Sequence, residues 1–240
     1  MKAYRKNMLS LVALLIAGIG PCTAQWESPM ETDRKLRAAY HELTARPDTE
    51  TQRKFFRAFP DTWVAFVSLD RHLAFGTDDD KKYIYKYLNA LKGLTAINDT
   101  LYCIKLMNLA NGADLDADAP NMFHSLLHEK LGCHVTGCNG QVASDRMMHT
   151  MFWLLSQVQK GEQMRFWQFY WSSIYHEEDG GSIDHRHDTE VVRIRQMMEH
   201  CHPELIEPMT IAYEYFNGGI YFLSDSYDAR YFGITDGQVP

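Results

Sequence analysis

Apolar residues recur every three or four positions along most of this chain, which is the period of an amphipathic α-helix. The first such stretch begins with Ser28-Pro29-Met30-Glu31, a capping box with proline at the first helical position, and it ends before Arg46-Pro47. A second stretch begins near Asp48-Thr49, and Pro60 ends it because proline breaks a helix. The pattern therefore predicts two helices joined by a short connection.

The same period continues towards the C-terminus, interrupted by short polar segments. Further helices are predicted from Trp63, after Asp78-Asp79-Asp80, from Asn98 or Asp99 to Asn111, from Asp118 to Leu131, and over residues 143–159, 162–177, 188–201 and 204–217. Consecutive helices with short connections pack antiparallel to their neighbours. The predicted fold is all-α, an irregular bundle of antiparallel helix pairs, with a HEAT-like stack as the alternative. The residues from Gly218 are expected to be irregular, with one short strand at Ile220 to Leu223.

The N-terminal residues have the three zones of a secretory signal peptide. Basic residues precede an apolar run from Leu9 to Gly20, which is shorter than the roughly 20 residues that a spanning helix needs. Cleavage is predicted after Ala24, so that residues 1–24 are the signal peptide and residues 25–240 form a single helical domain. A lipid anchor through Cys22 is the alternative, which we disfavour because a proline stands where lipid attachment requires a small residue.

Export changes the charge of the chain. Residues 1–24 hold three of its 24 basic residues and none of its 31 acidic ones, so the exported part has a formal charge of −10. Nucleic acids and anionic membrane surfaces bind basic patches, and neither is expected as a partner. No later segment is apolar enough to span a bilayer. The predicted location is the periplasm or the outside of the cell.

Four cysteines remain after the predicted cleavage: Cys103, Cys133, Cys138 and Cys201. An even number in an exported protein favours disulfides, although four cysteines allow three pairings and the sequence does not choose among them. Cys133 and Cys138 are the favoured pair because only four residues separate them. Four cysteines in a chain of this length are too few for a disulfide scaffold, so the core has to provide most of the stability.

Two groups of histidines are candidate metal ligands. His124 and His128 are four residues apart and therefore share one face of a predicted helix, just before Cys133. His185 and His187 alternate with aspartates, a pattern that could bind a metal or transfer protons. Neither group matches a zinc motif, and an oxidising compartment favours a disulfide over a cysteine–metal site. No cofactor is therefore favoured, and zinc is the alternative.

The helix predicted to cover Arg165 to Tyr175 is rich in large aromatic residues. Apolar residues nearly all round a helix are typical of a position at the centre of a fold. The alternative is that Trp167, Tyr170 and Trp171 form a binding groove at one edge, because exposed Trp and Tyr are common binding anchors. These three residues are the candidate binding residues.

Two segments resemble a group of uncharacterised exported bacterial proteins. They are Phe55-Phe56-Arg57-Ala58-Phe59-Pro60-Asp61-Thr62-Trp63 and Cys103-Ile104-Lys105-Leu106-Met107-Asn108-Leu109-Ala110-Asn111-Gly112. The resemblance extends over about residues 50 to 220. It implies a helical fold in a bacterial envelope, and it implies no activity and no site residue.

The sequence contains no nucleophile elbow, no phosphate-binding glycine loop and no dinucleotide fingerprint, so several classes of hydrolase, kinase and dehydrogenase are not expected. The favoured hypothesis is an exported binding or interaction module of a bacterial envelope that uses aromatic side chains. Its ligand would be an envelope protein, a peptide or a glycan. The first alternative is a metal-dependent hydrolase that uses the histidine and aspartate clusters. The second is a structural subunit of an envelope assembly.

Overall fold

A computed structural model describes residues 27–111, 113, 118–132, 138–172 and 188–217, and over these ranges the chain is an all-α bundle without strands. Its helices are α1 (Pro29–Ala45), α2 (Thr49–Ala58), α3 (Trp63–Ala74), α4 (Asp78–Lys81), α5 (Tyr83–Gly93), α6 (Asp99–Ala110), α7 (Asp118–Leu131), α8 (Cys138–Leu155), α9 (Lys160–Trp171), α10 (Asp188–Cys201) and α11 (Ile206–Asn217). A short 3-10 helix, Pro203–Leu205, precedes α11. None of the described helices combines the length and the apolar character that crossing a membrane requires. The predicted all-α class is confirmed.

The caps predicted at the first two helix N-termini are confirmed, but only the Ser28 half of the predicted capping box forms, since the Glu31 carboxylate binds Arg34. Ser28 caps α1 by accepting a hydrogen bond from the Glu31 backbone N–H, at 3.3 Å. The Asp48 side chain caps α2 through the Thr51 backbone N–H, at 3.0 Å. Helix α2 ends just before Phe59, whose extended backbone leads into Pro60. These side chains satisfy backbone donors that a helix cannot pair internally.

Two predicted helices have different ends in the structure. The helix predicted over residues 143–159 is α8, which begins at Cys138 and ends at Leu155. The helix predicted over residues 162–177 is α9, which ends at Trp171 because Ser172 has an extended backbone. The Ser172 hydroxyl donates to the Phe169 carbonyl at 2.6 Å and so satisfies one of the last carbonyls of α9.

The core is one cluster of apolar side chains that extends from α1 to α11. Aromatic rings form much of it, in offset and edge-to-face contacts that favour such pairs beyond their buried area. One continuous series of ring contacts joins Tyr87, Phe55, Phe59, Phe66, Phe123 and Phe169. A second series on α9 and α11 joins Phe166, Trp167, Trp171 and Tyr213. The aromatic richness of the sequence is therefore mainly used inside the fold.

Several buried or partly buried polar side chains donate to a carbonyl at the C-terminal end of a helix other than their own. The last four carbonyls of an α-helix have no partner within the helix, and buried carbonyls need one. The donors and their acceptors are Lys105 to the Phe59 carbonyl, Tyr102 to Leu91, Gln163 to Leu155, Arg193 to Leu131, and both His124 and His128 to Tyr170. Interhelical capping thus gives these polar groups partners in or beside an otherwise apolar interior.

Candidate functional site

The densest group of buried ionisable side chains lies where α7, α9 and α10 meet. His124 and His128 stand one turn apart on α7, with ring centroids 4.5 Å apart. Both direct Nε2 at the backbone carbonyl of Tyr170, at 3.2 and 2.6 Å. A carbonyl oxygen only accepts hydrogen bonds, so both imidazoles carry a hydrogen on Nε2. The histidine pair therefore caps the C-terminal end of α9.

Glu190 brings a carboxylate to this group from the first turn of α10. Only 2% of the residue is exposed. The Tyr170 hydroxyl donates to Glu190 Oε1 at 2.5 Å, and His128 Nδ1 lies 3.6 Å from Oε2. His128 thus stands between a helix C-terminus on one side and a carboxylate on the other.

Arg193 extends the group towards α8. One guanidinium nitrogen donates to Asp145 at 2.5 Å, and the other donates to the Leu131 carbonyl at 3.2 Å. The same nitrogen lies 4.0 Å from Glu190 Oε1. We name His124, His128, Tyr170, Glu190 and Arg193 the histidine–glutamate cluster. Its five residues lie on α7, α9 and α10, Arg193 connects them to Asp145 of α8, and its histidines, Tyr170 and Glu190 are buried.

The structure gives His124 and His128 a different role from the one that the zinc alternative requires. They do share a helix face, as the sequence predicts, but their Nε2 atoms bind a backbone carbonyl. In the described part of the chain, no three His, Cys, Asp or Glu side chains are grouped so that they could hold a metal ion. His185 and His187 lie outside the described residues. The arrangement of the described histidines therefore does not support the zinc alternative.

The candidate binding residues Trp167, Tyr170 and Trp171 are core residues. Their exposed fractions are 0%, 0% and 1%. The Trp167 and Trp171 rings stack 6.0 Å apart, and Tyr213 of α11 packs edge-on against Trp171. The prediction of a central helix is confirmed, whereas the alternative of an exposed aromatic groove at these residues is corrected. Their rings face α11 and the neighbouring helices instead of solvent.

The structure describes the side chains of two of the four cysteines considered in the sequence analysis. Cys103 is buried and Cys201 is exposed, and both are free thiols. Burial raises the pKa of the Cys103 thiol to about 12, so it stays protonated at neutral pH. Cys133 and the side chain of Cys138 lie outside the described residues. The predicted signal peptide and Cys22 also lie outside them.

Phe75, which is not one of the three candidate binding residues, is exposed to solvent. Phe75 follows the last residue of α3 and is 91% exposed, the highest value among the large apolar side chains of the described ranges. Its backbone N–H donates to Arg71, and the Gly76 N–H donates to Leu73, so the turn that holds it is closed. We name residues 75–82 the Phe75 turn. An almost fully exposed phenylalanine on an ordered turn is a candidate binding anchor.

Polar contacts hold this turn in place. The Asp80 carboxylate accepts hydrogen bonds from the Thr77 N–H at 2.9 Å and from the Thr77 hydroxyl at 2.7 Å. It also accepts one from Arg37 of α1 at 2.9 Å. These donors lower the pKa of Asp80 to about 2. Arg37 in turn binds Asp33, which accepts a hydrogen bond from the Tyr87 hydroxyl of α5.

A shallow groove lies between α5 and α7, with a cavity volume of about 90 Å³. It is lined by Leu88, Asn89, Lys92, Met122, Ser125, Leu126 and Glu129. Pockets that enclose a small-molecule ligand have volumes of roughly 300 to 1,000 Å³. The groove is too small to enclose a substrate, and an ion pair between Lys92 and Glu129 crosses it.

No protein-family model, no curated protein and no solved structure matches the chain. The resemblance over residues 50 to 220 therefore stays a prediction. The candidate sites rest on the geometry described above. Three of their residues, Phe75, Glu190 and Arg193, were not singled out from the sequence.

Proposed function

We propose that the chain is an exported binding module of a bacterial envelope and that Phe75 is its contact residue. The observation that carries this proposal is the nearly complete exposure of Phe75 on a closed turn. Transferring a phenylalanine side chain from water into an apolar pocket contributes roughly 1.5 to 3 kcal/mol. The proposed aromatic contact residue is thus Phe75, in place of the Trp167, Tyr170 and Trp171 expected from the sequence.

The surroundings of Phe75 favour a protein as the partner. Two exposed ion pairs follow it within the Phe75 turn, Lys81 with Asp78 and Lys82 with Asp79. An apolar centre with a polar rim of both charge signs is typical of protein–protein contacts. An anionic membrane surface would instead require an excess of basic residues, and the chain has an excess of acidic ones.

The contacts of Asp80 support the proposal because they order the turn before binding. A contact residue on a preorganised turn loses less conformational entropy when the complex forms. Gly76 shows how closely the turn is packed, since a Cβ atom there would lie 2.7 Å from the Asp80 Cβ. Any side chain at this position would push Asp80 away from Thr77 and Arg37.

Export is part of the proposal and has its own test. Mass spectrometry of the mature protein should show a chain that begins at Gln25, and a lipid on Cys22 would contradict this. Non-reducing peptide mapping should show a disulfide between Cys133 and Cys138. Free thiols at both positions would contradict the proposed disulfide and leave the binding proposal unchanged.

Binding is tested with a photoreactive benzoylphenylalanine in place of Phe75, introduced in the native host. The matched control is the same group in place of Val64, an apolar residue of α3 that is 58% exposed. We expect one cross-linked envelope protein of fixed mass at position 75 and none at position 64. The identified partner is then purified and its Kd is measured against the wild-type chain and Phe75→Ala.

Phe75→Ala should weaken that Kd by roughly tenfold or more, as expected for an anchor residue. Phe75→Leu, which keeps an apolar side chain, should lose less. A Phe75→Ala variant that binds the purified partner as tightly as the wild-type chain would overturn the proposal. So would cross-linking that is equal at positions 75 and 64.

A further inference from the structure

We infer that the outer face of α2 is a second contact surface, on which Arg53 and Arg57 bind an acidic peptide segment of a partner protein. This surface shares no residue with the Phe75 turn, so the inference is independent of the proposed function. It rests on two arginines without a counter-charge and on an exposed apolar side chain beside them.

Arg53 and Arg57 are both exposed and lie four residues apart on α2, so their side chains share one face of the helix. Among the residues that the structure describes, no carboxylate pairs with either of them. This is unusual in a chain with more acidic than basic residues. Most other arginines of the described ranges bind a carboxylate or an amide oxygen: Arg34, Arg37, Arg46, Arg146, Arg165, Arg193 and Arg195.

Two carboxylates near the arginines bind other side chains. Glu42 of α1 pairs with Lys54, which lies between the two arginines in sequence. Glu50, in the first turn of α2, pairs with Arg46. Neither carboxylate therefore supplies a counter-charge to Arg53 or Arg57.

As a pair, the two arginines work against the stability of α2. Like charges one helical turn apart repel each other. The helix dipole favours a cation at Arg57, in the last turn, but its effect does not extend to Arg53 in the middle of the helix. A repulsive pair that nothing in the described ranges relieves is expected where a sequence serves binding instead of stability.

An exposed leucine of α6 lies beside the arginines. The Phe56 ring of α2 stacks on Tyr102 of α6, with ring centroids 5.9 Å apart. Lys105, one turn further along α6, donates to the Phe59 carbonyl at the end of α2. The two helices thus lie side by side and run in the same direction. Leu101 precedes Tyr102 and is 48% exposed, so it places an apolar side chain at the level of Phe56, between the two arginines along the helix.

These features match an acidic peptide segment that also has an apolar side chain. A guanidinium group binds a carboxylate through two parallel hydrogen bonds. Two such groups one turn apart, with Cβ atoms separated by roughly 5 to 6 Å, suit two carboxylates of one short segment. Leu101 provides the apolar contact.

An anionic membrane matches the surface less well. Lipid surfaces bind clusters of roughly 4 to 8 basic residues, whereas this face offers two arginines without a counter-charge. The excess of acidic residues in the whole chain also repels an anionic surface. A peptide segment is small enough to contact the arginines without approaching the rest of the chain.

The experiment measures binding of the full chain to a fluorescent synthetic peptide of glutamate and leucine, at low ionic strength and at about 0.15 M salt. The same peptide with glutamine in place of glutamate is the matched probe, and phosphatidylglycerol vesicles test a membrane. The variant is Arg53→Gln combined with Arg57→Gln. Its control, Arg71→Gln combined with Lys86→Gln, removes two exposed basic groups on other helices.

The wild-type chain should bind the acidic peptide, more weakly in salt, and should bind neither the glutamine peptide nor the vesicles. The Arg53→Gln, Arg57→Gln variant should weaken the Kd by about tenfold or more, as expected for the loss of two ion pairs. Leu101→Ala should weaken it by a smaller factor, and the control should keep the wild-type Kd. Because the arginines repel each other, their replacement should leave the Tm unchanged or raise it.

Four results would overturn the inference. They are a wild-type chain that does not bind the acidic peptide, equal losses of affinity in the variant and its control, binding to the vesicles in place of the peptide, and a lower Tm of the Arg53→Gln, Arg57→Gln variant. The last result would show that the two arginines serve the fold.

Discussion

Arg37 and Asp80 form an ion pair of 2.9 Å between residues that are 43 positions apart in sequence. This contact joins the middle of α1 to the turn that presents Phe75. The Arg37 guanidinium also lies 3.8 Å from the centre of the Tyr83 ring, which fixes its orientation. The position of the proposed contact residue therefore depends on a side chain of the first helix.

Acidification should release the Phe75 turn only at very low pH. The native pKa of Asp80 is about 2, below the roughly 3.9 of an unfolded aspartate. The stabilisation is present above the unfolded value and is lost as the pH falls through about 2. The amide signal of Thr77, which donates to Asp80, should report a midpoint near 2 in an NMR titration.

Asp79→Asn is the control for this titration, because Asp79 is exposed and pairs only locally with Lys82. It should leave the Thr77 midpoint unchanged. Arg37→Gln should raise the midpoint, since it removes one of the two residues that donate to Asp80. A Thr77 midpoint near 4 in the wild-type chain would contradict the predicted contacts.

Lys105→Met should lower the free energy of unfolding by about 1 to 3 kcal/mol. Lys105 is only 3% exposed and donates to the Phe59 carbonyl at 2.6 Å, where α2 ends. Burial lowers the pKa of its ammonium group, and Asp61 opposes the shift. Methionine fills the same volume but leaves the carbonyl without this donor. Urea unfolding measures the difference.

The control for Lys105 is Lys54→Met. Lys54 is exposed and pairs with Glu42 across the surface, and such pairs contribute about 0 to 1 kcal/mol. Equal losses for the two variants would show that the cap at the end of α2 has no special effect on stability.

Gly132→Ala should be strongly destabilising. A Cβ atom at this position would lie 2.4 Å from the His128 carbonyl oxygen and 2.7 Å from Glu190 Oε1. Because neither group can move without disturbing the histidine–glutamate cluster, the cost should be roughly 1 to 3 kcal/mol or more. Thermal or urea unfolding of the variant checks the prediction.

Gly93→Ala is the matched control, since a Cβ atom there has nothing within 4 Å and Gly93 lies in the last turn of α5. Alanine should leave the stability unchanged or raise it by up to about 1 kcal/mol. A Gly132→Ala variant as stable as Gly93→Ala would refute the close packing at Gly132.

Comparing Trp167→Ala with Phe75→Ala should distinguish a core residue, Trp167, from an exposed contact residue, Phe75. Trp167 is 0% exposed, so its truncation should lower the free energy of unfolding by about 3 to 5 kcal/mol. Phe75→Ala should change it by no more than about 0.5 kcal/mol, because it alters an exposed side chain. The same pair of denaturation curves therefore tests both assignments. A stability loss at Phe75 that equals the loss at Trp167 would contradict them.

Local signals predicted much of the fold because the N-terminal ends of the helices depend on residues close in sequence. Ser28, Asp48 and Asn98 cap helices through their own neighbours, and the helix predicted over residues 188–201 has those bounds in the structure. The acidic stretch was predicted to begin one helix, but it forms the separate short helix α4. The Asp80 carboxylate of this short helix accepts hydrogen bonds from Thr77 and Arg37, and only Thr77 is near it in sequence.

The candidate sites were less predictable because they depend on distant contacts. The sequence showed that His124 and His128 are spaced to share a helix face. The Tyr170 carbonyl that both bind is more than 40 positions away in sequence. Glu190 reads in the sequence as an ordinary acidic residue near a helix start. The Gly-Thr pair that follows Phe75 indicates a turn. Whether the Phe75 ring is exposed depends on how the other helices pack, which the sequence does not show.

Interhelical capping also has a consequence for how the chain folds. Lys105 reaches a carbonyl 46 positions away and His128 one 42 positions away, so these helix ends are completed only after distant segments have docked. In a partly assembled bundle these helix ends would be exposed and frayed, because the side chains that cap them would not yet be in place. The last turns of α2, α5, α7, α8 and α9 thus depend on other helices, and unfolding should proceed as a single cooperative transition and not helix by helix.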